Sequence, residues 1–191
     1  MKYVFDSSSL SHAFEDLTHA IASAVMFCKG KEKCDIKRFL RRRFLSEYDT
    51  KELLLNCDVD MCYIPTDIEQ ELTRNPIMRD ELEIFVKGDE LNVRGRYGSK
   101  ASGISKYFHS RLRVLRPSIK YYYDVLDTAK RLGITVSKQD MKAIALAYQE
   151  HATLVTADRK MKEIAEAMGV PVIYTVGLTP SEEKKVKYSF V

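Results

Sequence analysis

Short apolar runs alternate with helical stripes along most of this chain. Within the stripes, apolar residues recur at steps of three and four, which is the spacing of one helix face. The runs predict strands at 3–5, 61–64, 91–93, 134–136, 152–156 and 170–173. The stripes predict helices at about 10–28, 35–45, 66–72, 77–87, 117–132, 141–148 and 161–168. Because strands and helices alternate, the pattern favours an α/β fold with a mostly parallel sheet covered on both faces.

The length of 191 residues fits one domain. We expect this domain at 1–175, with a basic insertion at about 90–120 and a polar C-terminal tail at 176–191. The chain starts without a secretory apolar core, and no later run approaches the roughly 20 apolar residues of a membrane span. We therefore expect a cytoplasmic protein that does not enter a membrane.

The four cysteines are Cys28, Cys34, Cys57 and Cys62. Their spacing differs from the short knuckles of structural zinc sites, so we interpret them as buried free thiols on a helix and a strand. A disulfide between Cys28 and Cys34 is the alternative, because intracellular proteins of hyperthermophiles form such bonds. The sequence does not decide whether that pair, or Cys57 with Cys62, is joined.

Positive charge is concentrated between Glu90 and Asp124, where eight cations and no acid occur in a chain of net charge +4. Tyrosines and glycines are interleaved with these cations. Cations neutralise phosphates and aromatic rings stack on unpaired bases, so the segment predicts RNA contact. The alternative is a solvated loop followed by a helix with tyrosines in the core. The predicted RNA-binding residues are Arg94, Arg96, Lys100, Arg111, Arg113 and Arg116.

Four acids are predicted to meet beyond the carboxyl ends of the strands. Asp6 follows the first strand, and Asp158 follows the strand that ends near Thr156. Asp140 lies in the first turn of its helix, and Glu71 can point into the same crevice. Converging carboxylates repel one another unless cations are bound, and hard oxygen ligands select Mg²⁺ or Mn²⁺. Such ions activate water for attack on a phosphodiester.

Each acid also has a structural explanation. Asp6 and Asp158 are favourable N-cap residues, and Ser137 with Asp140 fits a capping box. Glu71 fits neither pattern, so its alternative is a solvated glutamate on a helix surface. The sequence leaves both interpretations open.

Four ordered blocks of this chain resemble the signature blocks of PIN domains. They are Tyr3-Val4-Phe5-Asp6-Ser7-Ser8, Tyr63-Ile64-Pro65 through Glu71-Leu72, Val136-Ser137-Lys138-Gln139-Asp140 through Ala145-Leu146-Ala147, and Leu154-Val155-Thr156-Ala157-Asp158. The resemblance covers 2–74 and 134–174. It implies a Rossmann-like three-layer α/β/α sandwich and an endonuclease that cuts RNA with Mg²⁺ or Mn²⁺.

Carried over by position, the resemblance makes Asp6, Glu71, Asp140 and Asp158 the catalytic, metal-holding acids. Ser8 and Thr156 match small polar positions that orient those acids. Many PIN domains have a further acid after the last aspartate, whereas Arg159 and Lys160 follow here. This difference leaves open whether one or two ions bind, with Asp67 and Glu69 as substitute ligands.

The block around Asp140 is similar to archaeal-type PIN proteins of ribosomal RNA maturation, without the zinc ribbon that some carry. The insertion before this block gives a weaker likeness to RNA ligase partner proteins and to minimal protein-only RNase P proteins. We therefore predict an RNA-processing endoribonuclease whose partners are RNA, an RNA-processing protein and, as a homodimer, a second copy. One rival is a VapC-type toxin paired with an antitoxin. The other is a catalytically inactive PIN domain that binds RNA as a scaffold.

Overall fold

One sheet organises the described part of the chain. The computed structural model describes residues 1–14, 29, 53, 57–74, 82–97 and 106–175. The seven strands are β1 Tyr3–Phe5, β2 Cys62–Pro65, β3 Leu82–Lys87, β4 Glu90–Tyr97, β5 Lys106–Leu115, β6 Thr153–Thr156 and β7 Val172–Tyr174. The helices are α1 Ser7–Phe14, α2 Ile68–Arg74, α3 Ile119–Leu132, α4 Lys138–Gln149 and α5 Arg159–Ala167. The helices predicted within 15–45 and the tail at 176–191 lie outside the described residues.

The strand order is β3-β4-β5-β2-β1-β6-β7. From β5 to β7 every pairing is parallel, whereas β3 and β4 join as antiparallel strands. Helices flank this mostly parallel sheet, so the α/β fold predicted from the sequence is confirmed. No helix in the described ranges has the length and apolar character that crossing a bilayer requires.

The central strands are buried on both faces, which explains their short, continuous apolar runs. Val4, Phe5 and Ile64 are completely buried, as is Leu154 in β6. Strands covered by helices on both faces have no polar face to show in the sequence. The register places Val4 beside Tyr63 and Leu154, so β1 lies at the centre of the core.

All parallel strands end at the same edge of the sheet, here called the carboxyl edge. Asp6 follows β1, Thr66 follows β2, and Arg116 follows β5. Asp158 lies two residues beyond β6. In open α/β sheets, ligands bind in the crevice outside this edge.

Two predicted elements differ from the structure, and one strand was not predicted. Residues 82–87 form strand β3, although the sequence pattern predicted a helix over 77–87. The strand predicted at 134–136 is wrong, because that segment is an irregular link between α3 and α4. The sequence analysis did not predict β5, whose ten residues supply the partner that β4 needs.

Much of the predicted basic insertion belongs to the sheet. Only 113–115 of β5 pair with β2, and 106–112 continue past the start of β2. β3, β4 and residues 106–112 form an antiparallel extension that we call the basic arm. At about 3.3 Å per residue, His109 in the arm lies about 20 Å along β5 from Leu115 at the carboxyl edge.

A disulfide joins Cys57 and Cys62, so the expectation of free thiols is wrong for this pair. Four intervening residues form a turn that brings the two thiols together, which the spacing alone did not decide. Cys28 and Cys34 lie outside the described residues.

Candidate metal centre

Asp6 is a carboxylate built into the floor of the carboxyl edge. Its Oδ1 accepts a 2.7 Å hydrogen bond from the backbone N–H of Ser9, in the first turn of α1. Its Oδ2 accepts bonds from Ser8 Oγ at 2.7 Å and from Thr156 Oγ1 at 2.5 Å. These three donors fix the carboxylate in one orientation.

Thr156 connects the first and last of the predicted acids. Its hydroxyl donates to Asp6 and accepts a 3.0 Å bond from the backbone N–H of Asp158. Ser8 Oγ accepts a 3.3 Å bond from the backbone N–H of Ala157. Both predicted supporting residues, Ser8 and Thr156, therefore lie between the end of β1 and the end of β6.

Burial opposes the negative charge on Asp6. The residue is 2% exposed. Burial raises the pKa of the Asp6 carboxyl above its usual value, while the hydrogen bonds from Thr156, Ser9 and Ser8 act to lower it. A cation beside the carboxylate would offset the cost of burial.

Two side-chain contacts connect α4 and the segment before it to neighbouring elements. On one side, Lys160 Nζ donates to the backbone oxygen of Thr135 at 3.5 Å, which ties the approach to α4 to the start of α5. On the other side, Lys142 Nζ contacts the carboxylate of Asp67, just beyond β2. Asp140, in the first turn of α4, lies between these two contacts along the chain.

Asp140 and Asp158 also serve as helix caps. Asp140 Oδ2 accepts bonds from the backbone N–H and the hydroxyl of Ser137, which completes a capping box. Asp158 Oδ1 accepts bonds from the backbone N–H groups of Lys160 and Met161. Within the described ranges, Asp140 Oδ1 and Asp158 Oδ2 accept no hydrogen bond. One oxygen of each carboxylate is thus available to a further ligand.

Glu71 is exposed on α2, the helix that follows β2, and among the described residues it makes no hydrogen bond to the Asp6 network. Among the described side chains, no three acids, histidines or cysteines already surround one point as metal ligands would.

The donor chemistry fits a hard divalent cation. Carboxylate oxygens and hydroxyls, which Asp6, Ser8 and Thr156 supply here, are the ligands that Mg²⁺ and Mn²⁺ prefer. The buried Asp6 carboxylate is the strongest feature, since it is rigid, desolvated and in need of a compensating charge.

The predicted RNA-binding cations occupy different places. Arg116 follows β5 at the carboxyl edge and is exposed, whereas Arg94 lies in the basic arm over the ring of Phe85. Arg111 pairs with Asp58 at 3.3 Å and with Glu90 at 3.9 Å. Arg113 pairs with Asp60 at 3.5 Å and with Asp89 at 3.8 Å. The side chain of Arg96 and all of Lys100 lie outside the described residues.

Sequence reasoning did not identify Lys142 as part of this edge. The sequence feature that could have identified Lys142 was its position two residues after Asp140, on the same helix. A lysine at such a position also fits a solvated helix face, so nothing in the sequence indicated a pair with Asp67, 75 residues away.

The family model of the PIN domain matches residues 63–167, which is more than half of the chain. The protein belongs to the PIN-domain family. PIN domains are generally nucleases that use divalent metal ions, and this membership supports a nuclease role in general. The matched range includes Glu71, Asp140 and Asp158, while Asp6 precedes it.

A relative of known function matches a shorter part of the chain. Over 45 residues, the chain is 42% identical to a protein named RNA-free ribonuclease P from Halorhodospira halophila (strain DSM 244 / SL1). The match spans 24% of this chain and 22% of the relative. It supports the PIN-domain likeness, within which the insertion indicated a weaker similarity to minimal protein-only RNase P proteins.

Proposed function

We propose that this protein is an endoribonuclease that uses Mg²⁺ or Mn²⁺ to hydrolyse RNA phosphodiester bonds during RNA processing. The observation that carries the proposal is the buried carboxylate of Asp6, which Thr156 links to Asp158 at the carboxyl edge. A structural cap needs only the bond from Ser9, whereas the bonds from Ser8 and Thr156 add an orientation that suits a ligand on the crevice side.

In this proposal, Asp6, Glu71, Asp140 and Asp158 hold the metal. When bound, the ion supplies an activated water and positive charge near the scissile phosphate. Ser8 and Thr156 keep the Asp6 carboxylate in place, so little reorganisation is needed when charge develops on the phosphate. Capping of α5 fixes the backbone of Asp158 and leaves its Oδ2 directed away from the helix N–H groups.

The RNA strand is proposed to cross the carboxyl edge beside Arg116. This arginine is exposed, and no ion pair to it is present in the described ranges. Arg111 and Arg113 would have to exchange carboxylate partners for phosphates, so their part in binding is secondary. Arg94 lies in the arm, where only a longer RNA could reach it.

A second candidate is the catalytically inactive RNA-binding scaffold. It is favoured by the capping roles of Asp140 and Asp158, and by the lack of a preassembled set of three ligands in the described part of the chain. In that case the acids would stabilise helix starts, and the protein would bind RNA without cutting it.

Cleavage of a mixed RNA pool separates the two candidates. We expect the purified protein to produce Mn²⁺-dependent fragments that disappear with EDTA, with Asp6→Asn and with Asp158→Asn. Asp127→Asn, on the exposed face of α3, is the matched control and should cut normally. RNA binding without cleavage by the wild-type protein at millimolar Mn²⁺ would reject the nuclease and favour the scaffold.

A further inference from the structure

The three strands of the basic arm have one face in the core and one face toward solvent. Successive side chains of a strand point to opposite faces of the sheet. Leu91, Val93 and Leu112 are buried in the core, whereas Arg94 is partly exposed and His109 is exposed. The pairings of β4 with β3 and with β5 set these solvent-side positions beside one another. We call the resulting polar surface the outer face.

Only one half of the outer face has its positive charge matched by acids. Near the turn that the disulfide closes, Arg111 and Arg113 each pair with two carboxylates. Farther along β4, Arg94 pairs with no carboxylate in the described residues, although Glu83 is its register partner on β3. The sequence 96–106 adds three cations and no acid. The far half of the arm therefore carries positive charge that is available to a polyanion.

Arg94 lies against an aromatic ring on the neighbouring strand. The carbon of its guanidinium group is 5.0 Å from the centroid of the Phe85 ring. A guanidinium group is planar, so one of its faces can rest on Phe85 while the other stacks on a nucleobase. The partial exposure of Arg94 fits a side chain that lies along the sheet.

His109 adds a second ring beside Arg94. The two residues are register partners on β5 and β4, so their β-carbons are about 5 Å apart. Nε2 of His109 lies 2.9 Å from Oδ1 of Asn92, whose amide nitrogen donates to the backbone oxygen of Glu90 at 3.5 Å. Asn92 Oδ1 therefore accepts from Nε2–H. Nδ1 of the neutral ring is left as a hydrogen-bond acceptor for a base.

From this arrangement we propose that the outer face around Arg94 and His109 binds unpaired nucleotides of RNA, apart from the carboxyl edge. Bases stack on the guanidinium group and the imidazole ring, while the cations of this half neutralise the adjoining phosphates. The choice of RNA rests on the proposed function, but the binding needs no metal. Since His109 lies about 20 Å from the carboxyl edge along β5, this face holds a flanking part of an RNA that is cut at the edge.

An acidic peptide is the competing partner, because it also carries negative charge. Its carboxylates offer no planar ring of the kind that stacks on a guanidinium group. A surface that acts by charge alone predicts that lysine can replace Arg94 without loss of affinity. A stacking surface predicts a loss of affinity while the number of neutralised phosphates stays the same.

The test is the affinity for single-stranded RNAs of about four and about twelve nucleotides, measured in EDTA by fluorescence anisotropy at several salt concentrations. Arg94→Gln should weaken binding of the longer RNA about 10-fold and reduce the slope of log affinity against log salt by about one. Arg94→Lys should weaken it several-fold with the slope unchanged, because the charge remains and the planar group is lost. The shorter RNA should bind all variants alike, since it occupies the carboxyl edge beside Arg116.

Two controls isolate the stacking contribution. Lys162→Gln removes a lysine that lies 5.3 Å from the ring centroid of Tyr174, next to the strand at the other end of the sheet order, and should bind both RNAs as wild type does. An abasic RNA of the longer length keeps the phosphates and lacks the bases. It should bind wild type and Arg94→Lys equally.

The inference is overturned if Arg94→Gln binds the longer RNA as tightly as Lys162→Gln does. It is also overturned if a polyglutamate peptide of equal charge competes as well as the RNA, because the arm would then take an acidic protein segment. If Arg94→Gln does not fold, Phe85→Leu, which removes the ring beneath the guanidinium group, gives the same comparison. Absence of Mn²⁺-dependent cleavage would refute the proposed function without changing these affinities in EDTA.

Discussion

The carboxyl edge and the basic arm differ in how their charged side chains are stabilised. At the edge, the Asp6 carboxylate is buried and stabilised by hydroxyls and a backbone N–H, without a cationic partner in the described residues. In the arm, Arg111 is partly exposed and matched by carboxylates. A buried charge without a counter-charge in a crevice indicates a binding role, whereas a charge that is already paired indicates a structural role.

This difference changes how the basic segment is interpreted. A run of cations without acids suggested one RNA-binding surface, but acids from other parts of the chain reach Arg111 and Arg113. The disulfide between Cys57 and Cys62 closes the turn that contains two of these acids. The arm is therefore partly a neutralised structural extension, and Arg116 at the edge is better placed for substrate.

The largest expected effect is that of Asp6→Asn. Cleavage should fall by about 1000-fold or more, because the buried charge that holds the metal is lost. In metal-free buffer the variant should unfold at a higher temperature than wild type, by the equivalent of about 1 kcal/mol, because no charge is buried. Asparagine can still accept the bond from Ser9.

Cleavage rates and thermal unfolding in EDTA measure these two effects on the same preparation. Asp127→Asn is again the control, since an exposed aspartate should change neither quantity. If Asp6→Asn unfolded at a lower temperature than wild type as well as losing activity, Asp6 would be only a structural cap. The contrast between the edge and the arm would then be wrong.

The next effect is that of the hydroxyl between Asp6 and Asp158. Thr156→Val should lower Mn²⁺ affinity or cleavage by about 10- to 100-fold, because Asp6 loses a donor and the backbone N–H of Asp158 loses its acceptor. Thr156→Ser retains the hydroxyl and should recover most of the loss. If valine and serine behave alike, Thr156 contributes packing and not orientation.

The sequence predicted the edge better than the arm, because the edge is made of local signals. Asp6 and Asp158 directly follow short apolar runs, and parallel strands bring their ends together whatever the details of the loops. The contact between Lys142 and Asp67 could not be predicted, since the two residues are 75 positions apart in the sequence. Long-range pairs between charged side chains leave no periodic trace in a sequence.

The arm shows which signals are ambiguous. Residues 82–87 contain four apolar residues in six, a run too short to separate helix from strand until β4 is known to pair with it. In β5, buried Ser110 and Leu112 alternate with His109 and Arg111, and this period of two could have revealed the strand. Residues 134–136 have strand composition but lie outside the hydrogen-bonded order of the sheet.

A smaller effect should separate Arg116 from Arg111 in RNA affinity. Arg116→Ala should weaken binding of a short single-stranded RNA several-fold and reduce the slope of log affinity against log salt by about one. Arg111→Ala should change that affinity by less than about twofold, since its charge is matched by Asp58 and Glu90.

RNA-binding titrations of both variants at several salt concentrations measure these affinities. The baseline is the affinity of Asp127→Asn, which changes only an exposed side chain. Equal reductions in affinity for Arg116→Ala and Arg111→Ala would mean that RNA displaces Asp58 and Glu90 from Arg111. The separation of roles between the two regions would then be lost.

The smallest effect concerns His109, whose Nε2 lies 2.9 Å from Asn92 Oδ1 in the arm. Partial burial lowers the pKa of His109, and the charges of Arg94 and Arg111 lower it further, against the opposing effects of Glu83 and Glu90. Because the folded-state pKa is below the unfolded value, the contribution of His109 to stability is present above the unfolded pKa and declines as the pH falls.

A polyanion on the arm would screen the arginines and raise the pKa of His109. We expect a four-nucleotide RNA bound at the carboxyl edge to leave it unchanged, because about 20 Å of β5 exceeds the screening length in 0.15 M salt. Nuclear magnetic resonance of the His109 ring against pH measures this, and Arg94→Gln, which should raise the pKa, shows that the probe responds. A rise caused by the short RNA would place substrate on the arm and remove the distinction between the two regions.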